Sequence, residues 1–120
     1  WADIPESQRP FQSRLMEIWS GFSEHADYHA GRVISELENL GIKDNTLVFY
    51  IWGDNGSSSE GNRGTISELL TQNQIPVSLD DQLKVLEEMG GLDVLGTPAT
   101  DNHYNAGWAW SAAGIDPVHA

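Results

Sequence analysis

One run constrains this chain more than any other: Thr46-Leu47-Val48-Phe49-Tyr50-Ile51-Trp52, a stretch of β-formers with no polar alternation. Lys43-Asp44-Asn45 gives turn chemistry before it, and a polar, glycine-rich loop follows from Gly53 to Gly64. An unbroken apolar run of this length reads as a strand buried on both faces, as in a parallel sheet covered by helices above and below. Such a strand needs a neighbour on each edge, since an unpaired buried backbone group costs about 1–3 kcal/mol. No second run of this quality occurs in the 120 residues. The chain therefore reads as α/β in class, and as a slice through a larger sheet rather than a self-sufficient domain.

The helical signals lie on either side of this run. Pro10 suits a helix start, where its missing N–H has no acceptor to lose. Leu15, Ile18, Trp19, Phe22, Ala26, Val33, Leu37 and Leu40 then recur mostly three or four apart, the spacing of one helical face. Gly41 followed by Ile42 reads as the stop. This predicts one long helix over about residues 10–40, in which Gly21 and Gly31 would permit close packing or a bend. Asn55-Gly56 resembles a hairpin signal, but Ser57–Gly64 supplies no returning strand. Thr65–Gln74 reads at most as a short helix. Ser78, three residues before Asp81, caps a further helix through Leu79, Leu83, Val85 and Leu86, closed by Gly90-Gly91. Gly91–Asn105 reads as loop, and Ser111–Ala120 carries no clear signal.

Composition removes several function classes. Eighteen acids against six Lys and Arg give a formal charge of −12. A field of that sign repels phosphate backbones and anionic lipid, so neither nucleic acid nor membrane is expected as a partner. By itself an acid excess is a solvated surface. The chain has no cysteine, which excludes disulfides, zinc thiolates and thiol nucleophiles and fits any compartment. No stretch reaches the ~18 apolar residues of a membrane span, and the start shows neither a signal peptide nor an initiator Met.

Asp54 and Asn55 stand just past the C-terminal end of the expected strand, where ligands bind in open α/β sheets. A carboxylate beside a carboxamide offers two hard oxygen donors, suited to Ca2+ or Mg2+. Two donors are not a whole site, and Asp-Asn-Gly is also ordinary turn chemistry.

The segments Glu24–Val33, Leu40-Gly41, Asp44–Tyr50, Gly53-Asp54-Asn55-Gly56 and Ser59-Glu60-Gly61, in this order, closely resemble the arylsulfatase family, within the alkaline-phosphatase-like superfamily. Asn102–Trp110 is similar to the corresponding part of the larger bacterial arylsulfatases. The resemblance runs from about Pro5 to Trp110. It implies that residues 1–120 are a partial slice of one sulfatase catalytic domain: a long helix, one buried strand, a polar loop and short helices. It also implies a sulfuric ester hydrolase with a divalent cation, usually calcium, under the sulfate, and Asp54 and Asn55 as two of its ligands. The family's formylglycine nucleophile is made within (Cys/Ser)-x-Pro-x-Arg, a motif that none of Pro5, Pro10, Pro76, Pro98 or Pro117 completes. The family's first Asp-Asp metal pair is absent, since Asp80-Asp81 sits at a helix start instead. No Lys follows Lys84 to match the family's catalytic lysine. No catalytic residue is therefore expected in this chain, which should be inactive alone.

Other residues carry weaker signals. His103 lies in a loop from which it could approach substrate in a complete enzyme. His25 and His29 have helical metal-ligand spacing but read more simply as surface histidines. Trp108 and Trp110 read as packing, Asp27 as structural, and Ser57–Ser59 as loop hydroxyls. Two further functional readings stand beside the hydrolase. One is a phosphatase or phosphodiesterase of the same superfamily. The other is a non-catalytic interaction module whose bare strand edges pair with a second copy into a homo-oligomer.

Overall fold

The computed structural model describes residues 1–51 and 57–112. Four α-helices are formed: α1 (Arg9–Asn39), α2 (Glu68–Gln72), α3 (Leu79–Met89) and α4 (Ala106–Ala112). The chain divides into two compact units, one of Trp1–Trp19 with Gly56–Ala120 and one of Ser20–Asn55.

The first unit holds a small core. The start of α1 supplies Phe11 and Leu15, α3 supplies Leu86, and the intervening segments supply Ile66 and Leu95. Ile18, Leu79, Leu83, Val94 and Tyr104 pack against them. Burying one such aliphatic side chain fully contributes about 1.5–3 kcal/mol. The expected cap of α3 is formed: the Ser78 hydroxyl accepts from Asp81 N–H at 3.1 Å and donates to Asp81 Oδ2 at 2.7 Å. The helix closes at Gly90 and Gly91, both at positive φ (122° and 78°). The segment read as ambiguous holds the short α2. Within the expected loop, Gly91–Val94 forms a 3-10 turn, and Trp108 and Trp110 lie on α4. Asn105 starts α4, its Oδ1 accepting from Trp108 N–H at 2.9 Å.

In the second unit α1 ends as its sequence requires. Gly41 takes φ +65°, its N–H bonds Glu38 O at 2.9 Å, and Ile42 N–H bonds Leu37 O at 3.1 Å. This pair of bonds is the Schellman stop, which absorbs two carbonyls that the helix end leaves open. Nothing lies within 4 Å of where a Cβ would stand on Gly21 or Gly31, so the expected close packing is not made at either.

The expected buried strand is not formed over the described part of its run. Residues 46–51 form no strand, and Leu47, Phe49 and Ile51 are 80%, 75% and 87% exposed. Among the described residues, the two β-bridges join Thr65 to His103 and Ser67 to Asp101. The physical reason is the one that the sequence poses. A β-run lowers its free energy by pairing on both edges and burying both faces, and the described residues contain no partner strand for it. No described residue of the second unit is buried. The part of the expected apolar face of α1 that lies in this unit is likewise unburied: Phe22 and Val33 are 70% and 66% exposed.

Candidate functional site

Asp54 and Asn55, the expected metal ligands, lie outside the described residues. What the structure does show is how the chain beyond them is held. Segment 61–67 runs beside segment 101–105 through the Thr65–His103 pair, whose two backbone bonds measure 2.9 and 3.0 Å. Glu68 N–H bonds Asp101 O at 2.9 Å, and Ala106 N–H bonds Asn62 O at 2.9 Å. Glycine is required at position 61. A Cβ there would stand 2.1 Å from Tyr104 O and 2.5 Å from His103 Nδ1.

Two buried glutamines fix this segment from behind. Gln12 of α1 donates from Nε2 to Arg63 O at 2.6 Å and accepts from Asn105 Nδ2. Trp108 Nε1 donates to the Gln12 carbonyl at 3.0 Å. Gly64, at φ +87°, lets the backbone lie against the Gln12 carboxamide. Gln82 of α3 presents Oε1 to the Thr65 hydroxyl at 2.8 Å and to Ile66 N–H at 3.0 Å. A buried carboxamide needs partners for its polar atoms; here the Arg63 carbonyl, Ile66 N–H and the Thr65 and Asn105 side chains supply them. Neither glutamine is among the site residues expected from the sequence. The available signal was their register: Leu79, Gln82, Leu83 and Leu86 follow i, i+3, i+4, i+7, as do Gln12, Leu15 and Trp19 at i, i+3, i+7. A polar residue inside an apolar arc needs a partner.

His103 is half-buried. Its Nδ1 lies 2.8 Å from Tyr104 O. A carbonyl only accepts, so Nδ1 carries the proton, and in the neutral ring Nε2 is left as an acceptor. Asp80 and Asp81 are structural. Asp80 accepts from Gln8 Nε2 at 2.8 Å. The Asp81 carboxyl is held below the usual carboxylate value by a hydrogen bond from Lys84, by a second from Ser78 and by the Lys84 charge. Trp108 packs on Trp1, ring centres 5.7 Å apart, while Trp110 is half exposed. A cleft of about 490 Å3 lies against residues 61–65, bordered by Gln74, Ser78 and Asp80. Asp80 is its sole carboxylate among the described lining residues, and Gln8 already binds it. Among the described residues, no three His, Asp or Glu side chains converge as a metal site, and no helix is long and apolar enough to cross a membrane.

Comparison with known proteins bears on the region that holds Asp54 and Asn55. The Sulfatase family model matches residues 3–109. The chain belongs to the sulfatase family, with the alkaline-phosphatase-like fold that membership implies. An uncharacterized sulfatase of Schizosaccharomyces pombe (strain 972) is 35% identical over 57 residues, which are 48% of this chain and 10% of that relative. The aligned part of this chain thus covers about a tenth of the relative's length. No solved structure matches. Sulfatases generally use a metal ion.

Proposed function

We propose that these residues work within a longer polypeptide that hydrolyses sulfate esters, as part of one catalytic domain, and that Asp54 and Asn55 supply two oxygen ligands to its Ca2+ or Mg2+. The family match carries this reading, because its bounds, residues 3–109, enclose the β-run and the Asp-Asn pair. Both side chains offer hard oxygen donors, the type that these cations take. A divalent cation in such a site neutralises sulfate oxygens as the ester bond breaks. The 46–52 run becomes a central strand of the α/β sheet once neighbouring strands cover its edges. That transition sets Asp54 and Asn55 at a strand's carboxyl end. Gln12 and Gln82 hold the backbone that follows, and His103 offers Nε2 to the substrate. The nucleophile comes from outside these residues.

The test compares the 120-residue chain with the longer polypeptide, using 4-nitrophenyl sulfate. The chain alone should show no turnover and no micromolar calcium binding. Loss of even an outer-shell partner of a metal ligand costs 10–100-fold, so Asp54→Ala or Asn55→Ala in the longer protein should cost about 100-fold or more in kcat/KM. Full activity in both variants would refute the ligand assignment. Preferential cleavage of the aryl phosphate would move the protein to the phosphatases. The intact mass in the cells that make it reports directly on length: a value near 13.2 kDa would remove the longer polypeptide.

A second reading rests on the exposure of Leu47, Phe49 and Ile51. In the free chain this run pairs with a second copy, edge to edge. Light scattering coupled to size exclusion should then show a concentration-dependent dimer, and a monomer at all concentrations would exclude it.

A further inference from the structure

We propose that His25 and His29 form a binding site for a borderline divalent metal such as Zn2+, Ni2+ or Cu2+, distinct in chemistry from the oxygen pair Asp54 and Asn55. Both histidines belong to α1, four residues apart, so their side chains leave the same face on successive turns. His25 is exposed and His29 half-buried. Their ring centres lie 4.3 Å apart with the planes at 63°.

That separation is close to what chelation needs. A metal–nitrogen bond of about 2.0–2.1 Å, plus about 1.1 Å from nitrogen to ring centre, places two ligating rings roughly 4.4–4.5 Å apart at a right-angled metal and roughly 5.1–5.2 Å apart at a tetrahedral one. From 4.3 Å the two rings reach the first separation by roughly 0.1–0.2 Å of side-chain adjustment and the second by roughly 0.8–0.9 Å. Imidazole pairs select Zn2+, Ni2+ and Cu2+, whereas Ca2+ and Mg2+ take oxygen. Two protein ligands leave further coordination positions to water, so the bound metal exchanges freely.

One neighbour opposes the metal. Arg32 Nη1 lies 3.0 Å from His29 Nδ1. A guanidinium only donates, so Nδ1 is the acceptor and the neutral ring carries its proton on Nε2. A metal taking Nδ1 displaces Arg32 from that lone pair. A metal taking Nε2 requires the proton to move to Nδ1, which again breaks the bond. Arg32 is thus a competitor for the site in either tautomer.

Zn2+ titration of the full chain, read through the nitrogen resonances of its imidazoles, tests the proposal. The chain has four histidines, His25, His29, His103 and His119. The His25 and His29 rings should shift together, at lower Zn2+ than the other two. His25→Gln should weaken Zn2+ at His29 about tenfold or more, because the second ligand acts at high effective concentration. Arg32→Gln should tighten binding by roughly two- to tenfold, the worth of one hydrogen bond. Ca2+ should move neither ring, and Asp54→Ala should leave the Zn2+ response intact. Unchanged affinity at His29 in His25→Gln would overturn the proposal. Equal response of all four rings, weaker binding in Arg32→Gln, or loss of the response in Asp54→Ala would each do the same. Arg32→Gln keeps both imidazoles, so it decides the matter even if His25→Gln were to disturb the helix.

Discussion

Gln82→Met is the sharpest perturbation of the first unit. Methionine is close in volume to glutamine, so no large cavity is left and the change is mostly the loss of a polar tip. Two groups lose their acceptor: the Thr65 hydroxyl at 2.8 Å and Ile66 N–H at 3.0 Å. They are not equally harmed. Thr65 Oγ1 also lies 2.7 Å from Ser67 O, and its single proton turns there. Ile66 N–H relies on Gln82 Oε1, and Ile66 is 8% exposed. One buried orphan donor, not two, sets the cost at about 1–3 kcal/mol. At 1.4 kcal/mol per tenfold, that is roughly 5- to 150-fold in the folding equilibrium. Urea unfolding followed by tryptophan fluorescence reads it, since Trp1, Trp19, Trp108 and Trp110 all lie in the first unit. A Trp52→Phe background removes the remaining tryptophan. Pairing the change with Thr65→Val in a double-mutant cycle isolates the shared hydrogen bond. A loss below about 0.5 kcal/mol, within the range of surface substitutions, would show that Gln82 does not hold this backbone.

Gly61→Ala should separate segments 61–67 and 101–105, because its Cβ would meet Tyr104 O at 2.1 Å. The imidazole resonances of His103 should report the change. Gly21→Ala is the matching control, with open space at its Cβ position, and should stabilise α1 by about 1 kcal/mol. Ser78→Ala should destabilise α3 by about 1 kcal/mol in urea unfolding through loss of its cap. Because the folded Asp81 carboxyl titrates below its ordinary value, its contribution is complete above that value and disappears as pH falls through the lowered one. Lys84 is raised, chiefly by its hydrogen bond to Asp81, so its contribution is present below its ordinary value and lost as pH rises through the raised one. Lys84→Gln should flatten both limbs of the stability profile, and an unchanged profile would remove the pair from the account.

Local chemistry was legible in the sequence because it is complete within a few residues. The α1 stop at Gly41-Ile42 and the α3 cap at Ser78 each bond to backbone within five residues of themselves. The periodic face of α1 was equally visible, and so was the family, through motifs in a fixed order. The tertiary structure decided the rest. Gln12 meets Arg63 and Asn105, Gln82 meets Thr65 and Ile66, and Gly61 meets Tyr104 across long stretches of chain. No spacing along the sequence names such a partner. The run 46–51 marks the boundary between the two kinds of information. Its β-forming character belongs to its own side chains, but a strand is made by pairing, and its partners are not among the described residues.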